Sequence, residues 1–221
     1  MRPAVFACLT VLLTAACGSA LPAGMTCDSD TNCLYVPARV RSAAARVPAL
    51  VVLSCTGAMP VDLDTVRVVG DSLNWVMATC HRTRNHRDMQ LNDRDIVRTI
   101  AKLLRHPKVD SSRVFLFGFS GQGVQALATM LLHPELVRGV VAVCPHSQAM
   151  ALADWDLLSG RLVYLVTREK DWNRHACETM FQQFMEHGVQ AQLRVTRGEH
   201  GPGPKAELLS GCVWLNQSSR P

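Results

Sequence analysis

The sequence predicts an α/β protein, a three-layer α/β/α sandwich around a mostly parallel sheet. Two observations lead there. Short, unbroken runs of β-branched and other apolar residues recur along the chain, and between them lie longer segments whose apolar residues return every three to four positions. Strands that are apolar on both faces belong to a parallel sheet covered on both sides, and the amphipathic segments are the helices that cover it. At 221 residues the chain fits one such domain around one core. Its 48% hydrophobic content is that of a globular protein, and a net charge of +5 is too small to call for a nucleic-acid partner. No internal repeat or low-complexity tract interrupts it.

The N-terminus reads as an export signal. Met1-Arg2-Pro3 precedes an apolar run from Ala4 to Ala16, too short to span a bilayer but of the length of a signal-peptide core. The run closes on Leu13-Thr14-Ala15-Ala16-Cys17, which resembles the lipobox of bacterial lipoproteins, in which the cysteine is lipidated. A plain secretory signal cut after Ala20 or Ala23 is the alternative. Residues 1–20 are thus expected to be a signal peptide, 21–47 an N-terminal segment, and 48–217 the α/β domain. The expected location is a bacterial envelope or periplasm, or the medium, with membrane contact only through a lipid on Cys17.

Cysteine usage agrees with export. The chain has nine cysteines, and disulfides persist in oxidising compartments. Cys27 and Cys33 bracket a polar loop and are the pair easiest to close locally. Cys55, Cys80, Cys144, Cys177 and Cys212 form an odd remainder, so at least one of them is free or pairs elsewhere. Zinc sites need closely spaced Cys or His pairs, and the Cys27–Cys33 spacing has no second pair to match it. No metal and no cofactor is expected.

The strand candidates are 49–53, 74–79, 113–117, 137–143, 162–166 and 191–195. Among the helices, Ile96, Val97, Ile100, Leu103 and Leu104 share one face, with Asn92 or Asp93 as N-cap candidates and Pro107 as the stop. Others run from Val124 to Leu132, through Met180, Phe181, Phe184 and Met185, and from Lys205 to about Asn216. In such sheets the chemistry lies beyond the carboxyl ends of the strands.

Three strand ends carry reactive residues. The strand 113–117 runs into Gly118-Phe119-Ser120-Gly121-Gln122-Gly123 and straight into a helix. A serine on a strand-to-helix turn is presented as a nucleophile, and small residues must flank its strained backbone. The pattern departs from G-x-S-x-G, since Gln122 holds the last position and the glycine follows one place later. An ordinary tight glycine turn is the alternative. After 162–166 come Glu169-Lys170-Asp171, and after 191–195 comes Gly198-Glu199-His200-Gly201. A serine nucleophile needs a base to take its proton and an acid to orient that base. Ser120, His200 and Asp171 occupy those three places in chain order. Glu169 is the alternative acid, while Asp154 and Asp156 would serve only if the acid followed an earlier strand. His146 is a rival base whose chain order argues against it.

From about Ala49 to Asn216 the chain resembles the α/β-hydrolase superfamily. It is similar above all to the compact carboxylesterase, dienelactone-hydrolase-like and polyester-depolymerase-like members. The resemblance rests on Gly118-Phe119-Ser120, Leu132-His133-Pro134-Glu135-Leu136, Glu169-Lys170-Asp171 and Gly198-Glu199-His200. It implies a minimal α/β-hydrolase fold without a large lid and an acyl-serine mechanism. The oxyanion donors would be the Gly121 N–H and, after the first core strand, the Thr56 N–H, where Ser54 and Cys55 replace the usual His-Gly.

The expected substrate is a small-molecule or polymer ester with short or soluble acyl groups. A serine peptidase or thioesterase on the same fold, and an inactive envelope protein that keeps it, are the alternatives. Trp172 and Trp155 are candidate pocket residues. Arg82 and Arg84, in the His81–Arg87 run, are placed to meet a substrate carboxylate or phosphate. His81 and His86 lack the nearby carboxylates or thiols that would make them metal ligands.

Overall fold

The computed structural model describes residues 21–28 and 32–220, so the expected signal segment and Cys17 lie outside the described residues. A hairpin of β1 (Met25–Cys27) and β2 (Cys33–Tyr35) leads through α1 (Ala38–Ser42) to β3 (Val47–Val52). Then come α2 (Pro60–Val66), α3 (Val68–Leu73), β4 (Val76–Thr79), α4 (Met89–Leu103), β5 (Val109–Phe119) and α5 (Gly121–Leu132). The chain continues through β6 (Gly139–Val143), β7 (Leu162–Arg168), α6 (Arg174–Glu186), β8 (Gln190–Thr196) and α7 (Lys205–Ser218). The strands form one sheet in the order β1-β2-β4-β3-β5-β6-β7-β8. The β1–β2 and β2–β4 pairings are antiparallel, and those from β4 to β8 are parallel. The architecture is the expected mostly parallel three-layer sandwich.

The unbroken apolar runs are explained by the two faces they serve. Along β3, Ala49 and Val51 point into a core shared with Ile96 and Ile100 of α4, Leu127 of α5 and Phe184 of α6. Their neighbours Leu50 and Val52 point into the opposite core with Leu63, Val69, Leu208 and Leu215, from α2, α3 and α7. Trp75 stacks on Phe115 of β5 in that second core, with ring centroids 4.9 Å apart. Each large side chain fully withdrawn from water contributes about 1.5–3 kcal/mol, so both layers are held by the strands themselves.

The segment 21–47 supplies edge strands to the same sheet. A disulfide joins Cys27 and Cys33 directly across the β1–β2 register. Among the described residues the other five cysteines are free thiols, four of them buried and Cys55 half-buried. Helix α4 starts earlier than the sequence suggests. Its N-cap is Asp88, whose carboxylate accepts the Leu91 N–H at 2.9 Å. Asn92 bonds instead to the Arg84 backbone, and Asp93 to Thr129 and His133 of the neighbouring helix end. Between β6 and β7 the chain makes only two short 3-10 turns, Ser147–Leu152 and Trp155–Leu157, too little chain for a cap over the sheet edge.

Candidate active site

The carboxyl end of β5 turns sharply at Ser120. Its φ is 54° and ψ −126°, a left-handed backbone that a non-glycine residue holds at a cost of about 1–3 kcal/mol. The turn is over-determined by its neighbours. The Ser120 N–H donates to the Val143 carbonyl at 2.8 Å, and its own carbonyl accepts the Val124 N–H to start α5.

The close approach also explains the glycine pattern. A Cβ on Gly118 would lie 2.1 Å from the Gln122 carbonyl oxygen, whereas one on Gly123 would meet nothing nearer than 3.1 Å. Gly118 is therefore the position that must stay bare. The side chain at 122 has room, because it packs away from that contact and donates through Nε2 to Asn85 at 3.3 Å. The departure from G-x-S-x-G is thus compatible with a formed elbow.

The other two residues arrive from the neighbouring strand ends. His200 Nε2 lies 2.9 Å from Ser120 Oγ, and His200 Nδ1 lies 2.9 Å from Asp171 Oδ1. Asp171 follows β7, and the His200 loop follows β8. Main-chain bonds lock the two loops together, from Glu169 N–H to the Thr196 carbonyl and from Lys170 N–H to the Gly198 carbonyl. Arg168 holds the histidine loop from behind. Its guanidinium donates to Thr196 Oγ1 at 2.7 Å and to the Gly201 carbonyl at 3.1 Å, and pairs with Glu207 of α7 at 2.8 Å. The imidazole lies between the Trp172 ring, stacked at 3.9 Å, and Phe119 at 5.0 Å.

Asp171 is buried, which alone would raise its pKa. Hydrogen bonds from the Cys144 thiol, the Asn173 N–H, His200 and the Thr167 hydroxyl outweigh burial and hold the carboxyl below its ordinary range. It is therefore a carboxylate at neutral pH, fully supplied with donors. Glu169 and the alternatives Asp154 and Asp156 are exposed and bond to none of these groups.

Cys144 is the member that sequence reasoning missed. It ends β6 with a φ of 51°, and burial, followed by its bond to Asp171, pushes its thiol up to about 12. Its position just past a strand end, beside the elbow strand, was the available signal. Cys144, Asp171 and His200 offer donor atoms within 4.8 Å of one another and could hold a metal ion. In their present arrangement His200 Nδ1 bonds to the Asp171 carboxylate, while the Cys144 thiol beside it donates to the Gly201 carbonyl at 3.6 Å.

Ser120 opens on a cleft of about 420 Å³ lined by Arg84, Asn85, His86, Trp172, His146 and Gln148 among others. Gly121, Gln122 and Gln125 also line it. Of the expected lining residues, Trp172 and Arg84 are here. Arg82 is not, because the chain turns between them and places it in a separate depression with Asp95, Arg98 and Lys102. Trp155 is not here either, and packs against His187 and Phe184.

Gly121 opens α5, so its N–H is among those left without a helical acceptor. Thr56 stands exposed on the loop after β3 and is not among the residues lining the cleft. The part of that loop which reaches the elbow is Cys55, whose thiol contacts the Phe119 carbonyl at 3.3 Å and the Gln122 N–H. Asn85 closes the same corner. Its N–H bonds to the Cys55 carbonyl, and its carboxamide lies against Gly121.

No protein-family model matches the chain, and a search of curated protein sequences finds no relative. Solved structures do resemble it. A ferulic acid esterase superposes with a TM-score of 0.69 and 15% identity, over 89% of this chain and 96% of that one. A thermophilic carboxylesterase cloned from a metagenomic library gives 0.68 and 15%, over 86% and 85%. Fluorophosphonate-binding serine hydrolase F of Staphylococcus aureus gives 0.64 and 8%, over 89% and 97%. A candidate dipeptidyl aminopeptidase IV from Bacteroides ovatus gives 0.61 and 16%, and this chain spans 33% of its length. At these identities the likeness is one of architecture, and the sheet order, the elbow and the strand-end loops agree with it: the chain has an α/β-hydrolase fold.

Proposed function

We propose that the protein hydrolyses carboxylic esters through an acyl-serine intermediate on Ser120. The observation that carries this reading is the unbroken line from Ser120 Oγ through His200 to Asp171, with 2.9 Å at each step. His200 Nε2 takes the Ser120 proton as Oγ attacks the carbonyl carbon, and the Asp171 carboxylate steadies the imidazolium. Collapse of the tetrahedral adduct breaks the ester C–O bond, and His200 returns the proton to the leaving alkoxide. A water deprotonated by His200 then attacks the acyl carbonyl, releases the acid and restores the serine.

The Gly121 N–H, at the positive end of α5, is the first donor to the oxyanion. The sequence resemblance assigns the second to the Thr56 N–H; in the structure Thr56 lies outside the cleft, and Cys55 is the residue of that loop at the elbow. The open cleft and the short β6–β7 connection favour short or soluble acyl groups. Peptides and thioesters are alternative acyl donors, but nothing in the cleft favours them.

A fluorophosphonate probe tests the reading. Wild type is expected to label at Ser120 and to turn over p-nitrophenyl acetate, and Ser120→Ala to do neither. Folded wild type that fails to label would refute it. We further propose export, with the lipid on Cys17 as anchor. The signal-like N-terminus and the Cys27–Cys33 disulfide support that reading.

A further inference from the structure

We propose that the cleft beside Ser120 selects esters that carry a carboxylate, and that Arg84 is the residue that receives it. This rests on the hydrolase reading and adds to it a substrate class.

The residues lining the cleft include Arg84, Arg87, His86 and His146 but no aspartate or glutamate. Two of the acids behind the cleft are matched. Asp95 is spent on Arg87, at 2.6 Å, and Asp171 is covered by its four donors. Arg84 is exposed, and its guanidinium has no ion-pair partner among the described residues. The cleft therefore presents an unmatched cation to whatever binds at the nucleophile.

The protein also fixes the backbone of this arginine. Buried Asn92 bonds to the Arg84 backbone on both sides, accepting its N–H at 3.3 Å and donating to its carbonyl at 3.0 Å. Two residues on, His86 holds a left-handed φ of 60°, and Arg87 is clamped to Asn92 and Asp95. A merely solvated arginine needs no such support. With its backbone fixed at the rim of the cleft, the unpaired guanidinium can meet a carboxylate through two parallel N–H bonds.

The cleft offers little apolar surface. Its apolar lining is Met89, Val124 and Trp172, little to hold a long acyl chain. Gln125, buried in the wall, has an Nε2 donor without an acceptor in the protein. The walls suit a short, polar ester whose charge supplies the acceptors.

Two matched pairs test this at low ionic strength. Mono-4-nitrophenyl adipate against 4-nitrophenyl hexanoate puts the carboxylate on the acyl side, and 4-acetoxybenzoate against phenyl acetate puts it on the alcohol side. Wild type is expected to favour the charged member of one pair by about tenfold in kcat/KM, mainly through KM, and to lose that preference as salt is added. Within Arg84→Gln the ratio should approach unity, and within Arg84→Glu it should fall below that. No preference for either charged ester in wild type, or a preference that survives both substitutions, overturns the proposal. Turnover of the neutral esters and fluorophosphonate labelling of Ser120 report separately on the hydrolase reading, so its failure is told apart from failure of the carboxylate site.

Discussion

Replacing Asp171 with asparagine should slow turnover by about three decades while leaving the histidine in its present tautomer. The two oxygens of the carboxylate have different partners. Oδ1 accepts both the Asn173 N–H at 3.0 Å and His200 Nδ1 at 2.9 Å, and Oδ2 accepts the Thr167 hydroxyl at 3.0 Å. An asparagine with its carbonyl at the Oδ1 position keeps the first two bonds. Its amide then faces Thr167, whose hydroxyl can turn and accept. Thus the imidazole stays oriented, with Nε2 free to take the Ser120 proton, and what is lost is the charge opposite the imidazolium. Two unit charges about 4 Å apart at an effective dielectric near 20 attract by about 4 kcal/mol, which is about a thousandfold in rate. The assay is kcat/KM on p-nitrophenyl acetate, with Ser120→Ala as the baseline and circular dichroism to confirm folding. Glu169→Gln, at an exposed side chain, should change nothing measurable. A loss below about tenfold in Asp171→Asn, or a larger loss in Glu169→Gln, would refute the acid assignment and the charge argument together.

Two further predictions concern the cysteines. In the native mature protein the thiols of Cys144 and Cys177, each raised to about 12 chiefly by burial, and of Cys212, raised further by burial alone, should resist Ellman's reagent at pH 8 and react once urea unfolds the chain. Because their folded pKa values lie above the unfolded one, the native state keeps protons that the unfolded chain releases, so the urea midpoint should fall as pH rises above about 8.5, less steeply in Cys212→Ala. Rapid native labelling of all three would show the burial to be wrong. In a bacterial host, palmitate should label the wild-type precursor but not Cys17→Ser; label retained in the variant would remove the lipid anchor from the proposal.

Much of the fold was legible because the parallel strands, apolar on both faces, leave unbroken runs that no surface element imitates. All six predicted strands occur, and their carboxyl ends located Ser120, Asp171 and His200 without any contact information. Helices α2 and α3 were not legible. Each is short, and Pro60 at the first and Gly70 within the second mask the periodicity that longer helices display. The hairpin escaped for a similar reason, since strands of three residues carry no period, although the Cys27–Cys33 bracket pointed to the turn. What a linear reading cannot supply is the third dimension around the site. Arg82 and Arg84 are equivalent in sequence, and only the turn between them sends one to the cleft and the other to a separate depression.

The Gln122 departure and the missing His-Gly pair, which in the sequence stand as separate irregularities, meet at one corner of the structure. Cys55 replaces the glycine of the expected pair and brings a thiol to the Phe119 carbonyl and the Gln122 N–H. Gln122 replaces the expected glycine of the elbow and reaches Asn85, which in turn is bonded to Cys55. Cys55 and Gln122 thus stand where the usual pattern has glycine, and with Asn85 they brace the loop after β3 against the first turn of α5. A glycine at 122 alone would leave the Asn85 carboxamide without its donor, and a glycine at 55 alone would open a gap beside the elbow. Both residues thus brace the elbow, whose serine is held at φ 54° with Oγ 2.9 Å from His200 Nε2.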